Sequence, residues 1–292
     1  SKVEFPKGAT ACGYGFYHGF VEHLVQNNPS PQYVDEICPY LKEEISNEAP
    51  AISQTCFHGA GHGFLLAQSD QLTDPKDWTI DNFITEPLLK CDGLLLASDF
   101  ERKECYQGVF TVLTEWMADE EYGLTYNKIE PYAHCDRVAN SEYQEGCYAE
   151  VSQKFDSVSE FSMTKMRKLL ESGATQDFYN KTLWIALSGF MQNDPDTDGI
   201  DFFKECSEVF FDRSDTCIDV VVGGVIEHGP SGNQYQYVNA FCELDLLTEK
   251  EQEYCNRSFA QKLPRYETEE DIKLLCNNNV IHPATCALQE TK

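Results

Sequence analysis

Residues 12–20 read Cys-Gly-Tyr-Gly-Phe-Tyr-His-Gly-Phe, and residues 56–64 read Cys-Phe-His-Gly-Ala-Gly-His-Gly-Phe. Both fit the frame Cys-x-(Tyr/His)-Gly-x-x-His-Gly-Phe. A frame that returns with its cysteine, histidine and glycines in register marks an internal repeat. A repeat of this kind restricts the fold to stacked copies of one supersecondary unit. Further copies open at Cys105, Cys147, Cys217 and Cys255, and residues 182–190 fit with Thr182 in the cysteine place. Starts at 12, 56, 105, 147, 182, 217 and 255 lie 35 to 49 residues apart, which is the period of two-helix repeats.

Each copy reads as a hairpin. The frame-bearing segment (helix B) runs into a polar or Gly/Pro-bearing break, such as Asn27-Asn28-Pro29-Ser30-Pro31. A second apolar-periodic segment (helix A) follows, such as Phe202-Phe203-Lys204-Glu205-Cys206. Strand-like alternation is scarce; Val220-Val221-Val222 leans to β, but the frame places it inside a B helix. The expected fold is all-α, about seven disulfide-stapled helical hairpins in a single repeat domain over 1–292, wound as an open superhelix or a closed α/α toroid.

Thirteen cysteines far exceed cytosolic usage. Six fall in the last turn of a helix A and six at the head of the next helix B. Pairing neighbours gives Cys38–Cys56, Cys91–Cys105, Cys135–Cys147, Cys206–Cys217, Cys242–Cys255 and Cys276–Cys286. The fifth copy lacks both members at once, with no cysteine between Met166 and Gly173 and none at Thr182. Losing both together is what a paired role requires. Clustered C-x2-C pairs of a zinc site are absent. Cys12 is left over, either free or bridged to a segment outside this chain. At the level of architecture, stapled helical hairpins resemble the cysteine-rich Sel1-like repeat proteins, although that family's glycine and alanine pattern is missing here.

Frame positions +2, +6 and +10 share one helix face. They hold Tyr14, His18 and Glu22 in copy one, then His58, His62 and Leu66 in copy two. Copy three supplies Gln107, Thr111 and Glu115, and copy six supplies Asp219, Gly223 and Glu227 with His228 beside it. A polar stripe on glycine-rich helices suggests the lining of an inner pocket. His58 and His62 at i, i+4 can hold one metal ion from one helical face, and His18 in register on the neighbouring helix supplies a third ligand. The spacing is that of His-Glu-x-x-His metalloproteases, but Gly59 stands where their glutamate would be. Zinc, copper and iron all accept imidazole. Glu22 and Glu227 are the acid/base candidates.

Residues 194–205 fit the calcium loop D-x-D-x-D-G-x5-E, with ligands Asp194, Asp196, Asp198, the Ile200 carbonyl and Glu205. Asp201 at loop position 8 disfavours pairing with a second loop, so a solitary stabilising calcium site is expected. Asn180 and Asn256 open N-glycosylation sequons.

The net charge of −27 argues against nucleic acid and anionic membrane surfaces. No apolar run approaches the roughly 18 residues of a membrane span. Ser1 is not a start methionine, and no signal-like apolar stretch follows, as in a mature chain whose targeting segment has been removed. Disulfides and sequons point to secretion, the secretory-pathway lumen or the periplasm. The leading expectation is therefore a calcium-stabilised, secreted metalloprotein with a histidine-lined pocket, with metal-dependent catalysis there left open. Two alternatives stand beside it. One is a non-catalytic scaffold that binds an extracellular partner or copies of itself. The other is a metal-free glycan hydrolase using inner-face carboxylates, as helical toroids that cleave sugars do.

Overall fold

The computed structural model describes residues 15–45, 51–127, 129–138, 140–173, 179–193, 199–229 and 232–289. Among these residues all regular structure is helical. The helices are α1 (Gly15–Asn27), α2 (Pro31–Ile45), α3 (Ile52–Gln71), α4 (Ile80–Asp92), α5 (Asp99–Ala118), α6 (Ser141–Ser152), α7 (Phe155–Val158) and α8 (Met163–Gly173). They continue with α9 (Tyr179–Asn193), α10 (Gly199–Val209), α11 (Ser214–His228), α12 (Gln234–Cys242), α13 (Glu249–Tyr266), α14 (Glu269–Asn277) and α15 (Pro283–Gln289). Among the described residues no helix is long and apolar enough to cross a membrane.

All six expected disulfides form, with Cα–Cα separations of 5.4 to 5.9 Å. Each closes a loop of 10 to 18 residues, so each stabilises by roughly 3 kcal/mol in the loop-entropy account. The unstapled α8–α9 pair packs without a bridge; Thr182 is buried there and donates to the Tyr179 carbonyl. Cys12 lies outside the described residues.

Three details depart from the sequence expectation. Cys38 lies midway along α2 and not in its last turn. The B helices begin three to six residues before the frame cysteine rather than at it. The reason is capping: Ser98 with Glu101 and Thr248 with Glu251 form reciprocal capping boxes that start α5 and α13 upstream of Cys105 and Cys255. Cys135 sits in a 3-10 turn, Cys135–Arg137, and not at the end of an α-helix. Pro131 removes a backbone donor just before it, and Glu120, Tyr122 and Gly123 take positive φ where a helix A would continue.

The helices gather into two compact units, Ser1–Val151 and Ser152–Lys292. In the first, α3 is central and packs on α1, α2, α4 and α5. Its glycines alternate between two neighbours. A Cβ on Gly59 or Gly63 would meet the α1 backbone, and one on Gly61 would lie 2.1 Å from the Cys105 carbonyl oxygen of α5. Gly108 returns the contact, its missing Cβ being 2.0 Å from the His58 carbonyl oxygen. The small-residue face thus lets three B helices approach closer than ordinary side chains allow. Between α4 and α5 the buried Asp35 carboxylate accepts from the Leu95 and Leu96 amides at 2.9 and 3.0 Å, fixing that turn to α2. In the second unit α11 takes the central place against α9, α10, α12 and α13, and Val220–Val222 are fully inside it.

Candidate metal centre

The close approach of α1, α3 and α5 brings the first unit's frame histidines together. His18, His58 and His62 each offer a nitrogen within 4.8 Å of the other two. His18 stands edge-on to His62, with ring centroids 4.3 Å apart, and His58 lies 5.2 and 5.0 Å from the two. Gly59 makes this possible, since its Cβ would sit 3.1 Å from His18 Cδ2.

Hydrogen bonds orient two of the rings. His62 Nδ1 lies 3.0 Å from Glu22 Oε2. A carboxylate only accepts, so Nδ1 carries the proton and the Nε2 lone pair is left. That Nε2 is buried with no partner, and so is Nε2 of His18. A carboxylate holding the far nitrogen of an imidazole is the usual support behind a metal-ligating histidine. His58 lies between Thr111, whose Oγ1 is 3.3 Å from Nε2, and Glu104, whose Oε2 is 3.8 Å from Nδ1. Thr111 also contacts Glu150 at 2.9 Å and the Gln107 carbonyl at 3.0 Å. Glu104, Gln107 and Glu150 are all buried.

Burial, with the neighbouring His62 and His58, pushes the His18 pKa down to about 3, against an opposing pull from Glu22. Burial, then His58, holds His62 well below the ordinary imidazole value. These two rings are therefore neutral at physiological pH, the form that ligates metal.

Glu115 is exposed on α5. Asp219 and Glu227 lie on α11 in the second unit, where Asp219 accepts from Ser258 and from Lys262 Nζ at 3.0 Å, and Glu227 accepts from the Tyr266 hydroxyl. The frame places held by His18, His58 and His62 are Ser188, Asp219 and Gly223 there. Lys262 fills the gap over Gly223 and lies 5.3 Å from the Trp184 ring. That interior is closed by an ion pair and a cation–π contact instead of imidazoles. Tyr14, Asp194, Asp196 and Asp198, with the side chain of His228, fall outside the described residues. Ile200 and Glu205 lie on α10. Asn180 is exposed in the first turn of α9, whereas both ends of the Asn256 amide are engaged, with Gln252 and Thr285.

Glu104 and Glu150 are the members the frame did not reveal. One precedes the frame cysteine of its helix and the other follows it by three, places that are not carboxylates in the other copies. No sequence signal marks them.

His134 clusters with Cys135 and Cys147, but both sulfurs are spent in their disulfide, so this group holds no thiolate. His134 is structural. It is buried with Nε2 unpartnered, and burial, then Arg137, brings its pKa down to about 4, opposed by Asp136. As pH falls below the unfolded value of about 6.5, the unfolded chain takes up this proton first. The contribution is fully present above that pH and is lost progressively down to pH 4, about 3 kcal/mol in all. His134→Leu should flatten the decline of urea-unfolding free energy between pH 7 and 4; an unchanged slope would refute this.

No protein-family model matches this chain, and no curated protein or solved structure shows detectable similarity to it.

Proposed function

We propose that this chain is a secretory-route, disulfide-stapled metalloprotein whose first unit binds one transition-metal ion through His18, His58 and His62, with a calcium ion bracing the α9–α10 junction. The observation that carries the reading is the pair of buried, partnerless Nε2 atoms of His18 and His62 inside a three-imidazole cluster. A buried nitrogen left without a partner costs about 1–3 kcal/mol, and a bound ion removes two such costs together. Zinc, copper and iron are the candidate ions. The second unit supports the assignment by contrast, since its equivalent interior leaves no such cluster among the described residues.

Six disulfides favour an oxidising compartment, whether extracellular, luminal or periplasmic. The calcium part rests on the 194–205 pattern; α9 ends at Asn193 just before it, and α10 takes in its second half from Gly199. Glu22 is the acid/base candidate this reading keeps, because it touches His62. Glu227 is bound to the Tyr266 hydroxyl.

Elemental analysis tests both ions in one preparation. Purified protein should carry about one calcium that a calcium-selective chelator removes and about one transition ion that it leaves. The transition ion should vanish in a His58→Ala/His62→Ala variant that keeps its helical circular dichroism. A wild-type chain that takes up no transition ion after incubation with zinc, copper and iron salts in turn would end the metal reading.

A further inference from the structure

The hydrogen bonds around His58 fix which of its nitrogens is free. Thr111 has one hydroxyl hydrogen. Two of its neighbours, the Glu150 carboxylate at 2.9 Å and the Gln107 carbonyl at 3.0 Å, can only accept. The hydrogen goes to one of them, so toward His58 Nε2, 3.3 Å away, Thr111 is the acceptor and Nε2 carries the ring proton. In the unprotonated ring the lone pair of His58 then sits on Nδ1. Facing it at 3.8 Å is Oε2 of Glu104, on a side chain only 9% exposed. Glu104 makes no other polar contact among the described residues.

With His58 unprotonated, as a metal ligand must be, its lone pair and a nearly buried carboxylate face each other without a proton between them. At 3.8 Å the contact is too long for a hydrogen bond, and a buried carboxylate without a partner is strongly disfavoured. A cation between the two atoms turns this repulsion into attraction. We infer that Glu104 is the fourth ligand of the metal centre, completing a three-imidazole, one-carboxylate set for a divalent ion.

This rests on the metal reading above and sharpens it. An anionic oxygen ligand moves the preference away from copper(I), which seeks softer donors, toward zinc or iron(II). The atoms that lie within 4.8 Å of one another belong to His18, His58 and His62, so Glu104 joins the shell by turning its carboxylate from beside His58 toward that group, to about 2.0–2.2 Å from the ion. With four protein ligands a tetrahedral zinc is saturated and structural. Water then reaches the ion only if its coordination number exceeds four. Thr111 and Glu150 act as positioning residues that hold His58 in the required tautomer.

Cobalt(II), added to metal-stripped protein in excess calcium, is the probe. The wild type should bind one cobalt ion with the strong visible absorption of four-coordinate geometry. Glu104→Gln should weaken binding by at least about 100-fold and shift the spectrum, while Glu104→Asp, which keeps the charge, should retain part of the affinity. Should the glutamine variant fail to fold, the aspartate variant decides: reduced affinity with an altered spectrum supports the ligand role, and wild-type behaviour overturns it. Equal affinity and spectrum in a folded Glu104→Gln protein overturns it too, leaving Glu104 as a buried carboxylate outside the shell, with the three-histidine reading intact. A wild type that binds no cobalt in its first unit fails earlier, at the metal reading itself.

Discussion

Gly61→Ala is expected to destabilise the first unit by about 3 kcal/mol or more, the upper end of overpacking costs, and to lower its melting temperature by roughly 6–12 °C. Intrinsic propensity points the other way, because alanine is better than glycine in a helix interior by about 1 kcal/mol. Geometry decides the sign. The new Cβ would lie 2.1 Å from the Cys105 carbonyl oxygen, 2.8 Å from the Val109 nitrogen and 3.0 Å from the Gly108 Cα. All three are backbone atoms, so no rotamer change relieves the clash, and α3 and α5 must separate along their length. Gly108→Ala meets the same wall from the other side, at the His58 carbonyl oxygen, and should cost as much while also displacing the metal centre. Gly19 is the control. It is exposed on α1 and a Cβ there meets nothing within 4 Å, so Gly19→Ala should be neutral or stabilising. Urea unfolding of the three variants settles the matter, and a Gly61→Ala protein as stable as the wild type would show that α3 and α5 are not packed as described.

These glycines explain why the fold was so legible. A frame that repeats Cys, Gly and His in register reports helix–helix contacts directly, since one residue type in one place solves the same packing problem each time. All six disulfides followed from pairing adjacent cysteines, and Thr182 confirmed the rule by breaking it at both ends. The convergence of His18, His58 and His62 was legible for the same reason. What escaped depends on side chains that belong to no repeat. Glu104 reaches His58, and Glu150 reaches Thr111 beside it, through the rotation of α5 and α6 about their axes, which a frame does not encode. Asp219 occupies the place that suggested a pocket, yet Lys262 from α13 neutralises it. A frame position tells where a side chain points but not what the neighbouring helix sends to meet it. The capping boxes at Ser98 and Thr248 were readable in principle, since Ser-x-x-Glu and Thr-x-x-Glu stand in the sequence.

His62→Leu should produce a crossover in stability. In chelator the variant should be more stable than the wild type by about 1 kcal/mol, and at saturating metal it should be less stable by several. The first half follows from burial. His62 is 5% exposed, and its Nε2 has no partner, an arrangement that costs about 1–3 kcal/mol. Leucine fills a similar volume with no polar atom. It forfeits the hydrogen bond to Glu22, but that carboxylate is half-buried and recovers part of its solvation from water. The second half follows from linkage. An ion held by the folded state alone at about 1,000 times its dissociation constant adds about 4 kcal/mol, and a variant without the second α3 ligand forgoes most of it. Thermal melts with chelator and with zinc, in excess calcium throughout, give all four values. A packing histidine predicts a different pattern: the leucine variant would be weaker in both conditions, and zinc would move neither melt. A polar residue that weakens the empty fold and strengthens the filled one is held there for its ligand, because packing alone would favour the leucine.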